Sequence, residues 1–98
     1  MKIDCSNQHI LVTGGTRGIG AAISKTLVEC GAQVMAHYNR NEEAAHRLKN
    51  ELGSNIHLIK ADLAGAMEVA RLFSETMEYF DGRLDGILNN AGIAVSSD

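Results

Sequence analysis

The sequence predicts an α/β chain, a doubly wound parallel sheet in the order βαβαβαβ. Two observations carry that expectation. Four short runs of β-type apolar residues alternate with three longer stretches whose apolar residues recur at helical spacing. The connections between them are short, which implies right-handed crossovers and helices on both faces of the sheet.

Each element has its own signal. His9-Ile10-Leu11-Val12-Thr13 reads as the first strand, stopped by Gly14-Gly15. From Gly18, apolar residues at Ile19, Ala22, Ile23, Leu27 and Cys30 form a helical stripe that ends at Gly31. Gln33 to Tyr38 is the second strand. Asn41 can cap the next helix, with Glu42 and Glu43 where the helix dipole favours negative charge. That helix is expected to bury Ala45, Leu48 and Leu52 and to stop at Gly53. Asn55 to Ala61 is the third strand. The third helix carries Val69, Leu72, Phe73, Thr76, Met77 and Phe80 on one side and breaks at Asp81-Gly82. Leu84 to Asn89 is the fourth strand, turning at Ala91-Gly92.

Composition removes several classes of function. The 98 residues are 45% hydrophobic and 21% charged with a net charge of −3, the balance of one ordinary globular domain. Nucleic acid is not an expected partner, because Lys and Arg cluster on no face. A membrane is not expected either, since no apolar run approaches the roughly 18 residues of a span. The polar N-terminus does not read as a signal peptide, and Cys5 and Cys30 form no Cys-x-x-Cys unit. A reducing, cytoplasmic setting is the expectation. His9, His37, His46 and His57 show no metal-ligand spacing, so ordinary side-chain roles are expected of all four and no metal site is assigned. Met67 and Met77 read as core fillers.

Chemistry concentrates in Thr13-Gly14-Gly15-Thr16-Arg17-Gly18-Ile19-Gly20, between the first strand and the first helix. Gly14 and Gly15 permit a tight turn, Gly18 lets the main chain approach a pyrophosphate, and Gly20 lets the helix pack close to the strand. The helix N-terminus then offers unpaired N–H groups to phosphate. Together with Asn89-Asn90-Ala91-Gly92, this Gly-x-x-x-Gly-x-Gly spacing resembles the short-chain dehydrogenase/reductase family, in its branch containing the 3-oxoacyl-carrier-protein reductases. The resemblance covers His9 to Ile93 and implies a Rossmann-type fold cut after its fourth strand. Residues 1–98 would be the N-terminal, dinucleotide-binding portion of a longer enzyme, normally a homo-oligomer.

The resemblance also assigns residues. Gly14, Gly15, Thr16, Arg17, Gly18, Ile19 and Gly20 would line the cofactor phosphates. Asp62 would accept from the adenine amino group with the Leu63 backbone beside it, and Asn90, Ala91 and Gly92 would flank the nicotinamide ribose. Read without it, Asp62 is equally a helix cap, and the Asn-Asn pair is equally turn chemistry. Where relatives carry Ser, Thr or Asp to cap the third helix, this chain has Ala64-Gly65, an expected cost on the order of 1 kcal/mol.

Residue types at the end of the second strand bear on the choice of cofactor. An acid there selects NAD by holding the ribose 2′-hydroxyl, whereas a nearby Arg accommodates the 2′-phosphate of NADP. Val34 to Arg40 contains no acid; Asn39 and Arg40 follow the strand, and Arg17 stands in the glycine loop. NADP(H) is therefore expected over NAD(H), with a solvated surface role as the alternative for Arg40.

The family moves hydride between the nicotinamide and a carbonyl or alcohol carbon. A Tyr donates or accepts the proton, helped by a Lys four residues on and an upstream Ser. Here Tyr38 is followed four residues later by Glu42, and Tyr79 by Arg83. No catalytic residue is assigned within the chain, and the small-molecule carbonyl substrate, of which a 3-oxoacyl thioester is one case, would be bound by residues past Asp98. A stand-alone, non-catalytic NADP(H)-binding module or half of a split enzyme is the alternative, and a decayed fragment is a third. The fourth strand would form an open apolar edge, with the third helix partly exposed.

Overall fold

The computed structural model describes residues 4–90. Strands β1 (His9–Thr13), β2 (Gln33–Tyr38), β3 (Ile56–Lys60) and β4 (Gly86–Asn89) alternate with helices α1 (Gly18–Glu29), α2 (Glu42–Leu52) and α3 (Ala66–Tyr79). All pairings are parallel, in the spatial order β3-β2-β1-β4. β1 sits between β2 and β4, so the chain reverses its direction of growth across the sheet there. In open α/β sheets that switch point, at the carboxyl ends of the strands, is where ligands bind.

Period-2 alternation divides the apolar residues between two faces, as a sheet covered on both sides requires. Leu11, Met35 and Ile59 join Ala61, Leu72 and Phe80 in one core, the α3 side. Val12, Val34, Ala36 and Ile56 join Leu48 in the other, with Ile23, Leu27 and Val28 packed against them. Burying Leu11, Val12 and Ile56 completely contributes about 1.5–3 kcal/mol each by area.

The helix boundaries follow local chemistry. Asn41 Oδ1 accepts the Ala44 N–H at 2.9 Å and starts α2, while Gly53, with φ 80°, ends it. α3 begins after Gly65, which makes no side-chain cap bond. Because glycine is itself an acceptable N-cap, the cost relative to Ser or Asp is only a few tenths of a kcal/mol, below the sequence-based expectation.

Four expectations are corrected by the packing. Ile19 is 72% exposed and Ala22 is exposed, so the buried face of α1 runs through Gly20 and Ser24, with Ile23, Leu27 and Val28 half-buried. Small residues face inward because the helix lies directly on the glycine loop. Met67 is 87% exposed and Met77 is exposed as well, so neither fills a core; Leu72 and Thr76 are the buried residues of that helix, followed by the buried Phe80 at its C-cap. β4 starts two residues later than expected because Asp85 is otherwise engaged. Its N–H donates to the His9 carbonyl at 2.7 Å, and its carboxylate accepts the His9 N–H at 2.7 Å. β3 is shorter than expected, since Asn55 closes a 3-10 turn (Gly53–Asn55). β4 forms an edge of the described sheet, and its Ile87 and Leu88 are partly exposed, as expected.

Candidate functional site

A cleft of about 1170 Å³ opens at the carboxyl ends of the strands. It brings together Gly14, Thr16, Arg17, Asn39, Arg40, Asp62, Leu63 and Asn90, eight of the fourteen residues singled out from the sequence. Gly15, Gly18, Ile19 and Gly20 are not in its wall. Ala91 and Gly92 lie outside the described residues.

The glycines divide the work of shaping the loop. Gly14 and Gly18 have φ of 62° and 60°, the left-handed region that side chains resist. Gly18 faces open space: a Cβ there would meet nothing within 4 Å. Gly15 is needed for room rather than for its angles, since a Cβ would stand 2.8 Å from the Val12 carbonyl oxygen. Gly20 permits a close approach, but to the loop and not to the strand. A Cβ there would run into the Gly14 carbonyl and come within 2.9 Å of Asn90 Nδ2.

Cross-links hold this loop from three sides. Ser24 donates to the Gly15 carbonyl at 2.9 Å, and Asn90 Nδ2 donates to the Gly14 carbonyl at 3.1 Å. Thr13, in turn, donates to Asn89 Oδ1 at 2.9 Å, tying the ends of β1 and β4. Asn90 thus lines the cleft and also clamps the loop.

The start of α1 is arranged for an anion, while Glu42, Glu43 and Asp62 line the same cleft as Arg17 and Arg40. α1 starts on the cleft with Arg17 as N-cap, no side-chain cap bond and no acid in its first turn. Its first N–H groups and the positive end of its dipole are left for a ligand. Arg17 and Arg40 are exposed, and among the described residues neither takes part in an ion pair. Of the acids nearby, Glu42 is paired with Lys60 at 2.9 Å, and that ammonium holds its carboxyl below the usual range. Asp62 Oδ1 accepts the Ala64 N–H at 3.0 Å in a local turn, and Glu68 Oε1 accepts the Asp62 N–H at 3.4 Å. The exposed carboxylate of Asp62 therefore helps shape its own turn at the rim of the cleft.

One residue in the cleft gave no functional signal in the sequence. His37 is 3% exposed; its Nδ1 accepts the Gly14 N–H at 3.0 Å, and its Nε2 lies 2.8 Å from the Ala61 carbonyl oxygen. Burial lowers its pKa below the ordinary 6.5, only partly opposed by the Ala61 carbonyl. A histidine inside an apolar strand reads as core, and only the strand order reveals what lies on either side of it. Of the two tyrosines, Tyr38 lines the cleft, whereas Tyr79 lies elsewhere, its hydroxyl 2.8 Å from His57 Nδ1. Among the described residues no cluster of metal-ligating side chains occurs, and no helix is long and apolar enough to cross a membrane.

Glycines shaped for close backbone approach and an uncapped helix N-terminus suit the pyrophosphate of a dinucleotide. Comparison with known proteins agrees. The short chain dehydrogenase model matches residues 8–98. Hydroxynaphthalene reductase-like protein Arp2 of Metarhizium guizhouense is 42% identical over 88 residues, covering 87% of this chain and 33% of its own length. Versicolorin reductase 1 of Aspergillus parasiticus is 42% identical over 86 residues, 85% of this chain and 32% of its own. The crystal structure of a dehydrogenase/reductase from Sinorhizobium meliloti superposes with a TM-score of 0.83 at 36% identity, over 91% of this chain and 36% of that one. The chain spans about a third of the length of the curated relatives it matches. On fold, loop and sequence together, the chain belongs to the short chain dehydrogenase family.

Proposed function

We propose that this chain is the cofactor-binding portion of an NADP(H)-dependent oxidoreductase that moves hydride between the nicotinamide and a carbonyl or alcohol carbon. The observation that carries the cofactor choice is the pairing of Arg17 and Arg40 at the cleft, both outside any ion pair among the described residues, with an acid-free end of β2. A 2′-phosphate would meet two guanidinium groups and no carboxylate at the selecting position. Charge-assisted hydrogen bonds contribute about 1.5–3 kcal/mol each, a tenfold or greater preference per arginine.

Neither tyrosine has a lysine four positions on, so the reading gives this chain cofactor binding and leaves the proton donor to the rest of the longer enzyme. Carbonyl compounds are the substrate class. The names of the fungal relatives make hydroxynaphthalene- and versicolorin-type compounds, beside 3-oxoacyl thioesters, the first to assay. The reading further takes the longer enzyme as a cytoplasmic homo-oligomer without nucleic-acid or membrane partners, in keeping with free cysteines and a small net charge.

The test is a titration of wild type and Arg17→Ala with NADPH and NADH. Tighter binding of NADPH by wild type, lost selectively in the variant, is the expected result. Equal weakening toward both cofactors refutes the 2′-phosphate role, and no binding of either refutes the dinucleotide site.

A further inference from the structure

We infer that His37 is the positioning residue of this site, its neutral ring holding the glycine loop and the exit of β3 in fixed relation beneath the cofactor. The inference rests on the dinucleotide reading above and goes beyond it, because His37 belongs to no motif from which that reading was drawn.

The ring's state follows from its partners. An N–H can only donate, so Nδ1, which takes the Gly14 N–H, must be unprotonated. A carbonyl can only accept, so Nε2, 2.8 Å from the Ala61 oxygen, must carry the proton. The ring is therefore the neutral Nε2–H tautomer, with both nitrogens committed. The backbone of the same residue adds a third tie, its carbonyl accepting the Gly15 N–H at 2.9 Å. Both glycines that open the phosphate loop thus end on His37, one on its side chain and one on its main chain. On the far side, Ala61 leads directly into Asp62 and Leu63, and its own N–H donates to the Tyr38 carbonyl at 3.0 Å. One side chain in β2 consequently spaces the phosphate loop after β1 from the rim segment after β3.

Among the described residues no charged group hydrogen-bonds the ring. Arg17 from the loop, Arg40 from the β2–α2 turn, Glu42 and Glu43 from the first turn of α2, and Asp62 from beyond β3 line the same cleft, and none of them hydrogen-bonds either nitrogen. Burial also favours the uncharged form. Without the acceptor at Nδ1, the part-buried Gly14 N–H would lose its partner, and the free loop would relax to find one. Cofactor binding would then have to restore the loop, which lowers affinity.

Two substitutions separate the two bonds. His37→Asn places Oδ1 where Nδ1 stands and keeps an acceptor for Gly14, whereas His37→Gln reaches toward Ala61 and leaves Gly14 unpaired. NADPH titration of the folded variants should show His37→Asn within about twofold of wild type and His37→Gln weakened about three- to tenfold, the loss expected for one hydrogen bond to the part-buried Gly14 N–H. A general packing role would treat the two alike, and equal affinities overturn the inference.

A second readout needs no cofactor. Long-range nitrogen NMR of the wild-type chain should show His37 as the Nε2–H tautomer near neutral pH. The Gly14 amide should be protected from exchange in wild type and His37→Asn but not in His37→Gln. The opposite tautomer, a charged ring or an unprotected Gly14 amide in wild type overturns the inference. Wild type that shows the expected tautomer and protection yet binds neither NADPH nor NADH removes the dinucleotide reading, and the inference with it, for a reason distinct from any failure at His37.

Discussion

Replacing Gly20 by alanine should damage this fold far more than its small volume suggests. The added Cβ would overlap the Gly14 carbonyl oxygen, approach the Gly14 carbonyl carbon to 2.7 Å and come within 2.9 Å of Asn90 Nδ2. Carbon contacts are comfortable near 3.5–4.0 Å, so α1 would have to retreat by roughly 1 Å or the loop would have to give. The loop is poorly placed to give. Gly14 is held through its N–H by His37 at 3.0 Å and through its carbonyl by Asn90 at 3.1 Å. Overpacking against fixed backbone costs about 1–3 kcal/mol, and losing the Asn90 hydrogen bond adds about 1 kcal/mol, giving roughly 3 kcal/mol in all. A domain of this size melts about 4–8 °C lower per kcal/mol, so the expected drop is on the order of 15 °C. Thermal unfolding followed by circular dichroism measures it. Gly18→Ala is the matched control: it meets no atom within 4 Å and suffers only the left-handed angle, about 1–2 kcal/mol. A Gly20→Ala melting point within about 3 °C of wild type, or a larger loss for Gly18→Ala, would refute the close-approach argument.

Three further outcomes are expected. Asn41→Ala removes the cap on Ala44 N–H and should cost about 1 kcal/mol, read as a melting point about 4–8 °C lower with the NADPH-to-NADH preference unchanged. Arg40→Ala should weaken NADPH about tenfold while leaving NADH nearly untouched, measured by titration with both cofactors. Stability should fall on mild acidification. Burial lowers the folded pKa of His37 and His57 below the ordinary 6.5, so the unfolded chain takes up protons first. Their contribution is complete above about pH 6.5 and is lost as the pH falls through the folded values. Urea midpoints at about pH 7.5 and 5.5 check the sign, and His37→Asn should flatten the slope.

The strands were legible because a parallel sheet covered on both faces needs continuous apolar runs, and β1 and β2 match their sequence-based limits. Helix α2 was legible from its Asn41 cap to its Gly53 stop. The orientation of α1 was not. Periodicity favours large apolar residues for the inner face, but here the inner face must fit against backbone, so Gly20 and Ser24 take it and Ile19 turns to solvent. His37 was equally hidden. Its partners Gly14 and Ala61 are 23 and 24 positions away, and nothing short of the order β3-β2-β1-β4 puts them on either side of one imidazole.

The two helices that start at the cleft show how function is written into local chemistry. α2 has the ordinary equipment of a helix N-terminus, with an Asn41 side chain on Ala44 N–H and Glu42 and Glu43 in its first turn. α1 has none of it, although it begins at the same cleft, and Arg17 at its N-cap makes no side-chain cap bond. Omitting a cap typically costs a helix about 1 kcal/mol. Here the same omission leaves the first N–H groups of α1 without a side-chain acceptor, beside a loop whose glycines open a path to them. A dinucleotide phosphate would supply the missing acceptor and the missing negative charge together. Installing an aspartate cap by Arg17→Asp should therefore raise the melting point of the free chain while abolishing NADPH binding. A variant that gained stability and still bound NADPH would show that the α1 terminus is not where the phosphates sit.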